Sequence, residues 1–406
     1  MRLFLSDWVL PVVSPPIRYG GVVTDQGKII AVGEASTLQD KFPSIVVERM
    51  TNTVIMPGLV NAHTHIELSM MKGAIPDGLP FVEWVYRAIT GRFTYTTEAI
   101  RGAASLAVQS MIQNGTVAVG DIANNSDVSQ PLLENSNMWA VIFHEATGFQ
   151  SALALEKFNE FSRKAWQPGT ERVRHALAPH APYSVSRALF SEIRAFNRSG
   201  RLTTMHLAES HDEVVFIRTG EGPMREMIEK LGRWDDTWEA PKTTPVKYAH
   251  ALGMLMPGML AVHVVHADDE DIQLMKQFHI SVCSCPRSNV KINVGGTAPI
   301  RKYLDAGINV CIGTDSLASN DDLNVWNEMH ALQKQHASVK PEEIVRIATF
   351  NGAKALSLDN VIGTIETGKA DALIAVTSRE SVSEPFGFLT GGKSTFDSVR
   401  PLFAHS

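Results

Sequence analysis

The feature that most constrains the fold of this chain is a set of short apolar runs that each end in histidine or aspartate. Four such runs lie far apart in the sequence, and each has the length and the β-branched content of a buried strand. The polar residues at their ends are His63 and His65, His206, His263 and Asp315. In a parallel barrel the ends of separate strands meet on one rim, where functional residues are found. The pattern therefore predicts such a barrel.

The His63-x-His65 pair follows the apolar run 54–56 and a Pro-Gly breaker. Residues two apart in a strand face the same side, so both imidazoles can reach one metal ion. Taken alone, the pair favours two solvated or core histidines over a metal site. The remaining strand-end residues favour the metal, because histidine nitrogens with an aspartate oxygen suit Zn²⁺ or Fe²⁺ and leave a position open for water.

Strand-like and helix-like segments alternate through the middle of the chain, as βα units do. The eight predicted strands are 54–60, 116–121, 141–144, 173–178, 202–205, 259–262, 280–285 and 310–313. We therefore predict an α/β fold with a (β/α)₈ TIM-like barrel as the catalytic domain over residues 57–359. Residues 1–56 and 360–406 are rich in short β segments and turns, including a hairpin across Asp25-Gln-Gly27.

Several motifs resemble the amidohydrolase superfamily over about residues 20 to 376. They are Pro57-Gly-Leu-Val-Asn-Ala-His-Thr-His65, His206-Leu-Ala-Glu209 and Gly313-Thr-Asp-Ser316. The segments Pro179-His-Ala-Pro-Tyr183 and Ala318-Ser-Asn320 resemble its aminohydrolase branch, which includes nucleoside and nucleobase deaminases and triazine hydrolases. The resemblance also implies that both chain ends pair into one small composite β-sandwich flanking the barrel, residues 1–56 with 360–406.

The resemblance implies a role for each strand-end residue. The ligands of one divalent metal ion would be His63, His65, His206 and Asp315. Glu209 corresponds to the carboxylate that moves protons between water, a ring nitrogen and the leaving ammonia. His263 corresponds to the histidine that orients the water, with His266 as the alternative, and Asp315 doubles as a proton acceptor. Members with two metals carry a lysine after the fourth strand, and 173–180 has none, so one ion is expected, Zn²⁺ first and Fe²⁺ second.

Two local signatures narrow the substrate. His65-Ile-Glu-Leu-Ser69 and Cys285-Pro-Arg-Ser-Asn289 resemble the aminodeoxyfutalosine deaminases of menaquinone biosynthesis more than the S-adenosylhomocysteine deaminases. The residues expected to contact substrate are Glu67, His180, Arg287, Asn289 and Ser316. Glu67 either binds the purine or ribose end or orients a ligand histidine, and His180 is alternatively a structural turn residue. A substrate carboxylate would need a cation, for which the candidates are Arg287, Arg87 and Arg92.

The expected reaction is hydrolytic deamination of an aminopurine nucleoside, most closely 6-amino-6-deoxyfutalosine to futalosine and ammonia. The alternatives are deamination of 5′-methylthioadenosine, S-adenosylhomocysteine or another aminopurine or aminoazine, and hydrolytic dechlorination of a triazine. A metal-free scaffold with the same fold is the alternative outside the enzymes. Such scaffolds usually lack several of the ligand residues that this chain keeps. The polar segment 221–245 is either partly an active-site loop or a surface excursion.

Charge and cysteine content limit the partners and the location. A net charge of −6 over 406 residues gives no basic footprint for nucleic acid, and no apolar run reaches the length of a membrane span. We therefore expect a small-molecule substrate, with a homodimer left open by the resemblance. Cys283 and Cys285 could ligate zinc, but no matching second pair exists, so buried reduced thiols are expected together with Cys311. That expectation and the lack of a signal sequence predict a cytoplasmic protein.

Overall fold

The computed structural model describes residues 1–198, 200–391 and 396–402. The chain divides into two compact units. The first comprises Met1–Asn61, Gln109–Ala118 and the part of Asn324–Ser406 that is described, and the second comprises Ala62–Val108 and Val119–Leu323. The domain limits after residues 56 and 359 stay a prediction. Among the described residues, no helix is both long enough and apolar enough to cross a bilayer.

The strands are β1 (Arg2–Val9), β2 (Ile17–Asp25), β3 (Lys28–Glu34), β4 (Val46–Pro57), β5 (Leu59–Thr64), β6 (Thr116–Ala123), β7 (Trp139–Ala146), β8 (Val173–Pro179), β9 (Thr203–Leu207), β10 (Met259–His263), β11 (Ser281–Ser284), β12 (Asn309–Ile312), β13 (Leu373–Thr377) and β14 (Ser398–Pro401).

The helices are α1 (Ala35–Lys41), α2 (Phe81–Gly91), α3 (Thr97–Gln113), α4 (Ser126–Glu134), α5 (Ala154–Ala165), α6 (Arg187–Asn197), α7 (His211–Thr219), α8 (Pro223–Lys230), α9 (Pro245–Ala251), α10 (Asp269–Gln277), α11 (Pro286–Lys291), α12 (Ile300–Asp305), α13 (Val325–Gln335), α14 (Pro341–Arg346), α15 (Gly352–Ala355) and α16 (Pro385–Thr390). Short 3₁₀ segments cover Ile66–Met71, Arg92–Thr94 and Ser151–Leu153, and a π-helical turn covers Ile347–Asn351.

Strands from both ends of the chain form one six-stranded sheet in the first unit, in the order β14-β13-β4-β1-β2-β3. Strand β1 runs parallel to β4, and the other described pairs in this sheet are antiparallel. The predicted hairpin is confirmed, because β2 and β3 pair across Gln26 and Gly27, both with positive φ. Consecutive β1 residues alternate between two apolar clusters, Phe4 in one and Leu3 in the other.

The eight central strands form two parallel four-stranded sheets, β5-β6-β7-β8 and β9-β10-β11-β12. These are the strands of the predicted α/β barrel, and the fold class is confirmed. The position of the first strand was wrong, since the residues before Gly58 belong to β4. They pair with β1 and β13 up to Pro57, and the barrel strand starts only at Leu59. A Pro-Gly break therefore separates two strands where the sequence suggested one.

Backbone bonds link the two parallel sheets at the carboxyl ends of their strands. Thr64, the last residue of β5, forms a parallel bridge with Asp315, just beyond β12. At the other junction, the His206 N–H donates to the carbonyl of His180 at 2.9 Å. The strand ends therefore lie on one rim, as expected for functional residues in a parallel barrel. The three cysteines, Cys283, Cys285 and Cys311, are buried free thiols, as predicted.

Candidate active site

The strand ends of the second unit bring together the six side chains predicted to carry the chemistry. They are His63 at the end of β5 with His65 just after it, His206 in β9, Glu209 beyond it, His263 at the end of β10 and Asp315 beyond β12. None is more than 8% exposed, although all are polar. Polar side chains are rarely buried in a group unless they are paired or bind a ligand.

The buried histidines present a donor set that fits one divalent metal ion. The ligand nitrogens of His63, His65 and His206 lie within 4.8 Å of one another. Asp315 Oδ1 lies 3.6 Å from His63 Nε2 and 3.5 Å from His65 Nε2. Within the described residues, neither ring nitrogen of the fully buried His63 has a hydrogen-bond partner. Such a group costs roughly 1–3 kcal/mol, which coordination to a metal would offset.

Burial keeps these ligands in the protonation state that metals bind. It lowers the pKa of His65 to about 3, with help from His63, and it lowers the pKa of His206 well below the ordinary value. Burial alone would raise the pKa of Asp315, but His63 and His65 outweigh it and hold that pKa well below its usual range. Neutral imidazoles and an ionised carboxylate are the binding forms, so the cluster is prepared for a cation.

The carboxylate of Asp315 is held from its other side by two hydroxyl groups. Ser288 Oγ and Ser319 Oγ donate to Asp315 Oδ2 at 2.6 and 2.7 Å. The backbone N–H of Asp315 donates to the His63 carbonyl at 3.1 Å. Gly313 permits this approach, because a Cβ there would meet His63 Cβ and O at 2.8 Å. Asp315 Oδ1 is thus left facing the histidines.

Three of the strand-end segments adopt left-handed backbone conformations without glycine. The φ angles are 49° at Ala208, 69° at His263 and 58° at Asp315. Such residues cost of the order of 1–3 kcal/mol each and tend to cluster at functional sites. The strain here falls at the residues that turn the chain from strand to loop, where Glu209, His263 and Asp315 enter the cluster.

Glu209 and His263 form an acid–base pair next to the metal-ligand cluster. Glu209 Oε1 lies 3.3 Å from His263 Nε2. Burial, reinforced by Asp315, raises the pKa of Glu209 well above its ordinary value. The His263 Nδ1–H donates to Asn289 Oδ1 at 2.7 Å, so its Nε2 faces Glu209. The competing His266 instead bonds the Val294 carbonyl through Nε2 at 2.8 Å, which leaves His263 beside the carboxylate.

The backbone of Glu209 is itself fixed by a second buried carboxylate. Glu213 accepts the N–H of Glu209 at 2.7 Å and the N–H of Ala208 at 3.2 Å. The N–H of Glu213 in turn donates to Ser210 Oγ, which caps α7. The first turn of α7 thus holds Glu209 in place despite the strained backbone before it.

A cavity of about 630 Å³ opens above this cluster. Its floor is formed by His65, His206, Glu209 and Asp315. Much of its wall is apolar and aromatic, with contributions from Trp84, Phe93, Phe149 and Met227. This volume is within the range of small-molecule sites.

Of the five residues predicted to contact substrate, three line the cavity. They are Glu67, His180 and Ser316. The lining includes neither Arg287 nor Asn289, because both side chains are used elsewhere. Arg287 Nη1 donates to Asp322 at 2.6 Å, and Asn289 holds His263. Among the other candidate cations, Arg87 pairs with Glu83 on the exposed side of α2, whereas Arg92 does line the cavity.

Glu67 is fixed in the wall by backbone donors. Its Oε1 accepts the N–H of Asn124 at 3.2 Å and its Oε2 that of Asn125 at 2.6 Å. Burial nevertheless raises the pKa of Glu67 above its ordinary value. The Asn124 side chain continues the network, accepting from Arg92 Nη1 at 2.7 Å and donating to Glu145 Oε2 at 3.0 Å.

Two residues of the site were not predicted from the sequence. Glu145 is the penultimate residue of β7, its Oε1 lies 3.6 Å from His206 Nδ1, and burial raises its pKa to about 8. The strand-end pattern could have revealed it, since it follows the apolar run 141–143. Arg233 lies beyond α8, in the segment predicted as either an active-site loop or a surface excursion, and lines the cavity with Leu231. No local sequence pattern marks it.

A parallel barrel with histidines, an aspartate and a buried proton-transfer carboxylate on one rim has the organisation of a metal-dependent hydrolase. Comparison with known proteins agrees. Residues 54–395 match the model of the amidohydrolase family, and the chain belongs to that family. Its members are metal-dependent, and the chain is a hydrolase acting on C–N bonds. The predicted superfamily and aminohydrolase branch are confirmed.

Three relatives illustrate the likeness. The chain is 30% identical over 371 residues to a 5-methylthioadenosine/S-adenosylhomocysteine deaminase of Carboxydothermus hydrogenoformans, covering 88% of this chain and 80% of the relative. A Helicobacter pylori aminofutalosine deaminase in complex with methylthio-coformycin superposes with a TM-score of 0.87 at 26% identity, over 97% of both chains. A zinc-bound adenosine deaminase from Xanthomonas campestris superposes with a TM-score of 0.80 at 25% identity, over 98% of this chain and 91% of that chain.

Proposed function

We propose that this enzyme is a zinc-dependent deaminase that hydrolyses the exocyclic amino group of an aminopurine nucleoside. The observation that carries the proposal is the Glu209–His263 pair, 3.3 Å apart, beside the histidine–aspartate cluster on the floor of the cavity. A deaminase needs a group that can both accept and donate a proton next to the amino-bearing carbon. A buried carboxylate with a raised pKa meets that need.

The residues that would hold the ion are His63, His65, His206 and Asp315. Three imidazole nitrogens and one carboxylate oxygen are a set that zinc accepts. When bound, the ion supplies the Lewis acidity that makes water a nucleophile at neutral pH. Glu145 and the carbonyl of His180 contact the Nδ1 side of His206, which orients that ring.

Proton transfer and orientation of the water would then fall to three residues, Glu209, His263 and Asp315. Glu209 accepts a proton from the attacking water and delivers it to the ring nitrogen beside the amino carbon. His263 Nε2, fixed by Asn289, orients the water, and Asp315 accepts the second proton. The tetrahedral carbon collapses, its C–N bond breaks, and the amino group leaves with the returned proton. The products are the corresponding oxopurine and ammonia, so water is the only co-substrate.

Within this class, 6-amino-6-deoxyfutalosine is the proposed substrate, with futalosine as the product and a role in menaquinone biosynthesis. Support comes from the signatures around Glu67 and Arg287 and from the likeness to the aminofutalosine deaminase over 97% of both chains. A second candidate, deamination of 5′-methylthioadenosine or S-adenosylhomocysteine, is favoured by the names of relatives at 30% identity.

The test is ammonia release from metal-replete enzyme supplied separately with 6-amino-6-deoxyfutalosine, adenosine, 5′-methylthioadenosine, S-adenosylhomocysteine and guanine. The proposal expects the highest kcat/KM with the first compound. The Glu209→Gln variant, prepared identically, controls for contaminating deaminases. A higher kcat/KM with the thionucleosides would establish the second candidate, and no ammonia from any nucleoside would overturn the deaminase assignment.

A further inference from the structure

Two arginine side chains line the same wall of the cavity from different parts of the second unit. Arg92 begins the short 3₁₀ segment after α2, and Arg233 follows α8. Arg92 uses Nη1 to donate to Asn124 Oδ1 at 2.7 Å. The guanidinium of Arg233 has no hydrogen bond or ion pair with any residue that the structure describes. Donors therefore remain available on both groups.

Among the described residues, neither guanidinium forms an ion pair with an acid of the cavity. Arg92 and Arg233 line the cavity together with His180. Above the floor, the acids of the lining are Glu67, Glu145 and Glu160, and Glu160 pairs with Lys157 at 2.8 Å. Glu67 already accepts two backbone N–H groups, and Glu145 Oε2 accepts the side-chain amide of Asn124 at 3.0 Å.

Like charges beside a partly desolvated cavity repel each other. In agreement, burial and then Arg92 lower the pKa of Arg233. A ligand that brings a negative charge removes this cost. A planar carboxylate suits guanidinium groups best, because their N–H donors match its two oxygens.

The segment that carries Arg233 is anchored to the wall. Asp235 Oδ2 accepts the Ser151 N–H at 2.6 Å, and the rings of Trp234 and Phe149 lie 5.6 Å apart. Gln150 Nε2 also donates to the Trp234 carbonyl at 3.4 Å. Gln150 Nε2 also lies 3.5 Å from the Gly232 carbonyl, so the segment that carries Arg233 contacts the wall both before and after this residue.

The rest of the wall indicates the kind of group that fits next to the two arginines. The cavity lining includes Trp84, Phe93, Phe149 and Phe161. These side chains favour an aromatic or otherwise flat apolar group. Since the amino-bearing carbon must sit at Glu209 on the floor, the group at the wall belongs to the other end of the substrate.

We propose that Arg92 and Arg233 form a subsite for an aryl carboxylate at the end of the substrate opposite its amino group. This inference rests on the proposed deaminase function and deepens it. It assigns the carboxylate to Arg92 and Arg233 instead of Arg287, which Asp322 already pairs.

The test compares two substrates in three proteins. The substrates are 6-amino-6-deoxyfutalosine and the same molecule with its carboxylate converted to a carboxamide. The proteins are the wild type, Arg233→Gln and the matched control Arg101→Gln, which removes an exposed arginine of α3 outside the cavity lining. Arg233→Gln should lower kcat/KM for the carboxylate about 10- to 100-fold through KM, as for a lost charge-assisted contact. The carboxamide should be unaffected, and Arg101→Gln should match the wild type.

Equal losses on both substrates would mean that Arg233 only supports the loop, and no loss on the carboxylate would mean that it does not bind that group. Either result overturns the subsite. Arg92→Gln serves as the second variant. Because Arg92 also donates to Asn124, this variant supports the subsite only if kcat/KM falls more for the carboxylate substrate than for the carboxamide.

Failure of the proposed function has a different signature. If the wild type releases ammonia from neither compound, titration calorimetry with 3-acetylbenzoate tests the subsite without catalysis. Binding that the wild type and Arg101→Gln share and that Arg233→Gln loses supports the subsite. Absent binding, or binding that Arg233→Gln keeps, overturns it.

Discussion

The floor and the wall of the cavity are built by different means. The floor residues project from strand ends and are at most 8% exposed, and hydrogen bonds hold several of them, such as those from Ser288 and Ser319 to Asp315. The wall arginines lie in segments that follow helices, and Arg233 is exposed. Chemistry is thus tied to the barrel scaffold, whereas recognition depends on the connecting segments, which vary at little cost to stability.

The largest expected effect tests whether the histidine–aspartate cluster, which includes His63 and part of the floor, is one metal site. His63→Ala removes the histidine whose two ring nitrogens have no hydrogen-bond partner among the described residues. The variant should lose its metal, measured by elemental analysis after dialysis, and with it all deaminase activity. His266→Ala is the matched control, because this histidine bonds the Val294 carbonyl away from the cluster and should leave metal content unchanged. Full metal content in His63→Ala would contradict the assigned site.

The next effect separates proton transfer from metal binding. Glu209→Gln keeps the shape of the side chain but removes its ability to accept a proton. We expect kcat to fall by about 10²- to 10⁴-fold, with metal content and thermal stability as in the wild type. An ammonia-release assay measures kcat, elemental analysis of the same sample measures its metal content, and a thermal melt measures its stability. If metal is lost along with activity, Glu209 belongs to the metal site instead.

The floor and the cluster of histidines beside it could be predicted because strand ends leave a local sequence pattern. His63, His206, His263 and Asp315 each close an apolar run, and a parallel barrel brings such ends together whatever their separation in the chain. The motif around Glu209 was likewise visible. Glu145 fits the same pattern and was overlooked, since its run ends in a glutamate and matched no motif.

The wall could not be predicted in the same way. Arg287 and Asn289 stand in the motif that suggested substrate contact, but tertiary partners take both side chains, Asp322 for one and His263 for the other. Arg233 reaches the cavity only because Asp235 anchors its segment to Ser151. Pairings over such sequence distances leave no local signal. The boundary between β4 and β5 was not predicted for a similar reason, because β4 extends as far as its pairing with β13, which ends at Pro57.

A smaller effect is expected from a residue that supports the floor without lining it. Asn289→Ala removes the acceptor that keeps His263 Nε2 turned toward Glu209. Loss of such an orienting partner typically costs 10- to 100-fold, and we expect about that loss in kcat with KM unchanged. Asn289→Asp keeps an acceptor and should retain most of the activity. A rise in KM alone would instead favour the substrate contact first predicted for Asn289.

The smallest effect should come from the wall, and it should change a different kinetic constant. Asp235→Ala removes the acceptor of the Ser151 N–H and loosens the segment that carries Arg233, at a cost of about 1 kcal/mol in unfolding free energy. Burial alone would raise the pKa of Asp235, but bonds from Thr237 and Ser151 lower it to about 2. Because the pKa of Asp235 is lower in the folded protein than in the unfolded chain, its carboxylate stabilises the fold fully at a pH above the unfolded pKa of about 4. This stabilisation is lost as the pH falls toward 2. The difference in unfolding free energy between the wild type and Asp235→Ala should therefore be equal at pH 6 and pH 8 in denaturant titrations.

In kinetic assays of Asp235→Ala, KM for a carboxylate substrate should rise while kcat stays constant, because the floor does not depend on Asp235. A fall in kcat of the size seen for Asn289→Ala would show that wall and floor are coupled and that the separation drawn between them is wrong.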